Sequence, residues 1–188
     1  MNAKNLEQIR GNAPVLGAYI GGMWIASFVC MANVLKYPIL SLFGLGLCIG
    51  SIIAIPVFAY QFRWRVCQGE MSFMESWILV IQILFYASIL MAGGVYLYMQ
   101  FLDQGNFASY YETLLSDPAT KAMMDQILSG SGTTAEDFVA QVTSISPINL
   151  AINILESDIL LGFIGSVPLA LLSRIKVKSS SEKKRVNY

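Results

Sequence analysis

A chain of 188 residues that is 55% hydrophobic and 13% charged carries about half the charge of a soluble domain. That balance excludes an ordinary soluble enzyme, a disordered chain and a basic nucleic-acid binder, and it points to a membrane protein. Twelve basic and twelve acidic residues cancel, so their placement holds the charge signal. There is no histidine, which removes Ser-His-Asp and Cys-His catalysis and histidine-ligated metals.

A membrane-spanning helix needs about 20 mostly apolar residues. Four stretches meet this, at 13–35, 38–60, 73–101 and 147–172. The first two are uncharged, the third has Glu75 near its start, and the fourth carries Glu156 and Asp158. None alternates with period two, so a transmembrane barrel is not expected. The first span runs past Cys30 with no small-x-small cleavage site, which separates it from a secretory signal. The residues before Cys30 also do not fit a lipidation signal. The predicted fold class is an all-α membrane protein of four transmembrane helices. A small helical extracytoplasmic insertion, 102–146, lies between the third and fourth. Residues 1–12 form a cytoplasmic N-terminus and 173–188 a basic, disordered cytoplasmic tail.

Charge placement sets the predicted orientation. Lys4, Arg10, Arg63, Arg65 and six basic residues of the tail fall on one side, ten of the twelve. Lys36 and Lys121 fall on the other. The positive-inside rule then puts both termini in the cytoplasm, which an even number of spans requires. The insertion holds six acidic residues against Lys121 and faces outward. Tyr60, Phe62, Trp64, Phe73 and Trp77 form the expected inner aromatic belt, and Tyr37, Tyr96, Tyr98 and Phe101 the outer one. Cys30 and Cys48 lie within spans and Cys67 faces the reducing cytoplasm, so no structural disulfide is expected.

Every span offers small residues for close helix approach. They are Gly17 and Gly21, then Gly46 and Gly50, then Ser88 and Ala92, then Gly162 and Ser166. Internal packing of a four-helix bundle accounts for them, and a dimer seam is the alternative. Pro56 and Pro168 permit kinks in the second and fourth spans. In the insertion, Asp117-Pro118 reads as a cap and first turn leading PATKAMMDQIL, which ends at SGSG. Thr133 with Glu136 reads as a capping box for the next helix. Apolar residues at helical spacing predict two or three short amphipathic helices over the outer mouth of the bundle.

Two sets of ionisable residues are candidate sites. Glu75 lies near the inner edge of its span, where Arg63 and Arg65 can pair with it across the interface. Asn149, Asn153 and Glu156 share one helix face and form a candidate polar path or ligand site. Asp158, two residues on, points nearly the opposite way. Counted back from Arg174, Glu156 and Asp158 lie about 27 Å and about 24 Å away, near the outer edge of the hydrocarbon. No metal ligand set, phosphate loop or nucleophile elbow occurs.

The stretch Phe62-Arg63, Gly69, Ser72-Phe73 and Glu75, followed by a long span ending in Leu102-Asp103, resembles the bacterial membrane proteins of domain of unknown function 4199. The chain differs from that pattern at Gln68-Gly69, where paired glycines are expected, and at Ser76, where alanine is. The resemblance implies a four-span architecture and a bacterial inner-membrane location. The expected role is a non-catalytic scaffold or accessory subunit, with a small transporter or channel component as the alternative. No cofactor is expected. The expected partners are the lipid bilayer and other membrane proteins or a second copy, with no nucleic acid.

Overall fold

The first helix begins ten residues before the predicted span. In the computed structural model, which describes residues 2–103 and 105–173, α1 runs Ala3–Ala32, straight through Pro14. Asn2 caps it, its side chain accepting from the Lys4 N–H at 3.1 Å. Residues 3–12 are polar enough to read as a terminus, yet Asn5, Ile9, Ala13, Gly17 and Gly21 are buried at a strict spacing of four. That stripe is one continuous helix face, and it lies on α3.

The remaining long helices are α2 (Leu40–Arg65), α3 (Phe73–Phe101) and α7 (Pro147–Leu172). All four are long and apolar enough to cross a membrane. The third and fourth match the predicted spans. The second extends through Arg65 because Tyr60 to Arg65 continue the helix into a tight turn. There Gln68 and Gly69 take positive φ, +51° and +87°. A Cβ at Gly69 would stand 3.0 Å from the Trp64 ring, so both φ and space call for glycine.

Side-chain bonds fix the directions. Asn5 reaches Glu75 at one end of α1 and α3, and the Asn33 amide donates to the Tyr98 hydroxyl at the other, 2.8 Å. These two helices are therefore parallel. Trp24 donates to Ser51 and Trp77 to Ser166, each at 2.8 Å, which sets α2 against α1 and α7 against α3 in antiparallel fashion. The lateral order is α2, α1, α3, α7, and α2 meets α7 only sparingly.

The α1–α3 seam explains the glycines of the first span. A Cβ on Gly17 would stand 2.6 Å from the Tyr86 Cβ and 2.8 Å from the Ile83 carbonyl. One on Gly21 would stand 2.9 Å from the Ala87 carbonyl. Backbones that approach this closely gain the dispersion contacts that hold helices together in lipid. Gly46, Gly93 and Gly165 face open space instead. The buried cluster draws on Ile9 and Ile20 of α1, Ile55, Ala59 and Phe62 of α2, Leu79, Val80, Ile83 and Ala87 of α3 and Ala170 of α7. It is weighted toward the end where α1 and α3 begin.

Between α3 and α7 lie α4 (Asn106–Ser116), α5 (Pro118–Leu128) and α6 (Ala135–Thr143). Asp117 caps α5 as predicted, accepting from the Thr120 N–H at 3.1 Å. The cap of α6 is Thr134, not Thr133, and accepts from the Asp137 N–H at 3.1 Å. Glu136 is released from that role and pairs with Lys121 on α5. The three helices pack mainly on one another, with Ala135 and Val139 buried, while Met123 and Ile127 stay exposed. Among the described residues this unit meets the bundle only where α4 touches α1. It is not a lid over all four helices. The predicted tail from Arg174 onward lies outside the described residues.

Several residues assigned to aromatic belts have other work. Phe62 and Tyr98 are buried in the bundle, and Trp77 is bonded to Ser166. Trp64, Tyr37 and Phe101 remain exposed.

Candidate functional site

The two predicted polar sets are placed differently from the sequence reading. Glu75 does not pair with Arg63 or Arg65. It is the third residue of α3 and reciprocates with Ser72 in a capping box. Its Oε2 accepts from the Ser72 N–H at 2.9 Å and the Asn5 amide at 3.3 Å, and its Oε1 accepts from the Asn2 N–H at 2.6 Å. The carboxylate thus sits against the N-termini of two parallel helices, whose dipoles favour negative charge. It needs no arginine, although it is 2% exposed. The Arg63 guanidinium instead donates to the Gly69 carbonyl at 3.3 Å and lies over the Trp64 ring, 5.8 Å from its centre. Arg65 is exposed. Nearby, burial pushes the Cys67 thiol up from its ordinary range, and the Glu75 charge adds to that.

Asn149, Asn153 and Glu156 do share one face of α7, but it is exposed, and none of them is among the residues that line the cleft described below. The predicted path is not enclosed by the bundle. Asp158, on the opposite side of the helix, is half-buried and faces inward. Because α7 reaches back to Pro147, Asp158 lies about 17 Å from that end and about 21 Å from Leu172, close to the midpoint of the helix, so the count from Arg174 alone placed it too near the outer edge.

Asp158 lines a cleft of about 640 Å³ between α2 and α7, with α1 and α3 as its floor. The cleft exists because α2 and α7 are each held by a neighbour and barely by one another. Its walls are largely apolar, with Trp24, Phe28, Ile55, Leu84, Met91 and Leu169 among them. A Cβ on Gly162 would meet Leu84 at an ordinary contact distance of 3.4 Å, and Gly165 leaves space open. Asp158 also borders a smaller hollow of about 60 Å³ beside Ile81, Phe85 and Phe163.

The other polar groups of the cleft have partners. Trp24 donates to Ser51, Ser51 donates to the Cys48 carbonyl at 2.7 Å, and Ser27 donates to the Gly44 carbonyl at 2.7 Å. Among the described residues, no hydrogen bond or ion pair reaches Asp158. Sequence reasoning set it aside because it could not share a site with Glu156. The usable signal was the stripe Asp158, Leu161, Gly162, Gly165 and Leu169, which recurs at helical spacing along one side of α7, the side that lines the cleft.

No group of three or more metal-ligating side chains occurs among the described residues. The insertion has a second, polar hollow of about 350 Å³ with Lys121, Asp125 and Glu136 on its rim. Their charges are engaged with one another and with the backbone, Lys121 on Glu136 and Asp125 on the Ala135 N–H.

No curated protein and no solved structure matches the chain. A family model described as "Protein of unknown function (DUF4199)" matches residues 16–174, which take in α1 from Leu16 onward, the other three long helices and the inserted unit. The chain therefore belongs to that family, and its four long apolar helices suggest a multi-pass membrane protein.

Proposed function

We propose that this protein binds an apolar small molecule within the membrane, as a carrier or the ligand-binding subunit of one, and that its site is the α2–α7 cleft. The observation that supports this is an unpartnered carboxyl group near the middle of a span, at the wall of a cleft of about 640 Å³. Clefts that hold drug-sized ligands run at roughly 300–1,000 Å³, mostly apolar with few polar groups. An ionisable residue inside a span points to function by default, because it is costly to keep there. The reading assigns no catalytic step. It keeps both termini on the cytoplasmic side of a bacterial inner membrane, on the strength of the ten basic residues grouped there.

The test is saturable binding of apolar probes to the protein in lipid nanodiscs, with empty discs subtracted. At least one of tetraphenylphosphonium and triphenylphosphine oxide is expected to bind. Gly165→Phe, which fills the cleft, is expected to abolish it. A scaffold with no ligand is the competing account, and it predicts no saturable binding of any probe. Orientation is tested by single-cysteine labelling at positions 105–130 in a cysteine-free background. An impermeant reagent added outside intact cells should reach them, and labelling only after lysis would reverse the assignment.

A further inference from the structure

The charge inventory of the spans is one-sided. No lysine or arginine occurs in residues 37–62, 66–101 or 147–172, nor in 11–35. Among the described residues no basic side chain lines the cleft, and none is placed to pair with the Asp158 carboxyl. Its hydroxyl and indole neighbours cannot solvate it either, since Ser27, Ser51 and Trp24 already donate elsewhere. The cleft thus has an acidic point, two aromatic side chains in Trp24 and Phe28, and apolar walls.

We propose that the cleft binds a lipophilic cation, a quaternary ammonium or phosphonium-like centre on an apolar body, with Asp158 as its counter-charge. This rests on the reading of the cleft as a ligand site and names the ligand class. Three properties of the cleft select that class. An anion would meet an unscreened carboxylate. A hydroxyl-rich ligand would find Ser27, Ser51 and the Trp24 N–H already engaged, leaving its own polar groups without partners. A cation gains Coulomb attraction that grows as the surroundings become less polar. It also gains attraction to aromatic faces within about 6 Å. The apolar body replaces lipid along Leu84, Met91, Leu161 and Leu169.

Tetraphenylphosphonium and tetraphenylborate, ions of common shape and opposite charge, test this in nanodiscs beside the smaller neutral probe triphenylphosphine oxide. The expected result is saturable binding of the phosphonium, about tenfold tighter than the neutral probe, and none of the borate. Asp158→Asn should reduce phosphonium affinity to that of the neutral probe. Glu156→Gln, which removes a charge from the outward face of the same helix, should leave it unchanged. Equal binding of cation and neutral probe, or an unchanged affinity in Asp158→Asn, would overturn the cation assignment and leave the cleft reading standing. Absence of saturable binding by any probe would overturn both. The parent protein's discrimination between the two ions requires no variant, so misfolding of Asp158→Asn would not shelter the proposal.

Discussion

At the end of the bundle where α1 and α3 begin, Glu75 accepts three hydrogen bonds from Asn2, Asn5 and Ser72 and faces two helix N-termini. Near the middle of α7, Asp158 accepts none from the described residues and faces a cleft. Both are carboxyl groups on apolar helices. The first is surrounded by donors fixed in the backbone of two parallel helices, so its charge is a joint between them. The second is left to whatever enters from outside. A buried acid is informative only together with its donors. Burial alone would rank Glu75, at 2% exposed, ahead of half-buried Asp158 as a functional group, and the hydrogen bonds reverse that order.

The contrast can be broken at its tight side first. Gly17→Val places a branched side chain where even a Cβ would stand 2.6 Å from Tyr86 and 2.8 Å from a backbone carbonyl. It should separate α1 from α3 and destabilise by about 3 kcal/mol, with loss of a monodisperse peak in size-exclusion chromatography. Gly46→Ala, facing open space, should keep that peak. Comparable loss in both would mean that the seam is not where the bundle is held.

A smaller effect is expected at the joint. Glu75→Gln keeps the shape but turns an NH₂ toward the Asn2, Asn5 or Ser72 donors. It should lower stability by about 2 kcal/mol, measured by thermal denaturation in detergent. Trp77→Phe removes the bond that ties α3 to Ser166 on α7 and should cost about 1 kcal/mol in the same assay. If Trp77→Phe proves the larger of the two, α7 rather than the α1–α3 joint is the anchor of the fold.

At the bottom of the scale are the exposed charges of the insertion. Lys121→Ala breaks its pair with Glu136, and no measurable change in thermal stability is expected, because exposed ion pairs contribute little. A clear loss would show that the inserted unit depends on that pair. The exposed Asp117 carboxyl, held below its ordinary range by hydrogen bonds from Thr120, contributes to α5 only while ionised. Its contribution is present at neutral pH and is lost as acid protonates it. Helicity of this unit should therefore fall on acidification, as followed by circular dichroism, and a flat response would remove the cap from the account.

The four spans and the inserted helices were legible because length, hydropathy and caps are local properties. Asp117 and Pro118 announce α5 within a few residues, whereas the equally local capping box of Ser72 and Glu75 was passed over for an ion pair. The extension of α1 back to Ala3 was hidden by its polar residues, whose partner face on α3 is seventy positions away. The Asn2 and Asn5 partners of Glu75 were hidden for the same reason. Backbone N–H groups of Asn2 and Ser72 leave no trace in composition, whereas Arg63 and Arg65 stood out as obvious counter-charges. At α7 the helical geometry was read correctly, since Glu156 and Asp158 do point opposite ways. Which of them faces inward depends on how α2 and α7 splay, and no local pattern carries that.

The central claim, that Glu75 is structural and Asp158 is held open for a ligand, is tested most directly by comparing two isosteric variants. Glu75→Gln and Asp158→Asn are to be denatured thermally beside the parent in the same detergent, without added ligand. The account predicts a clear drop for Glu75→Gln and no drop, or a small gain, for Asp158→Asn, because an unpartnered half-buried charge is removed. Equal losses in the two variants would contradict it, since Asp158 would then be holding the bundle together as Glu75 does.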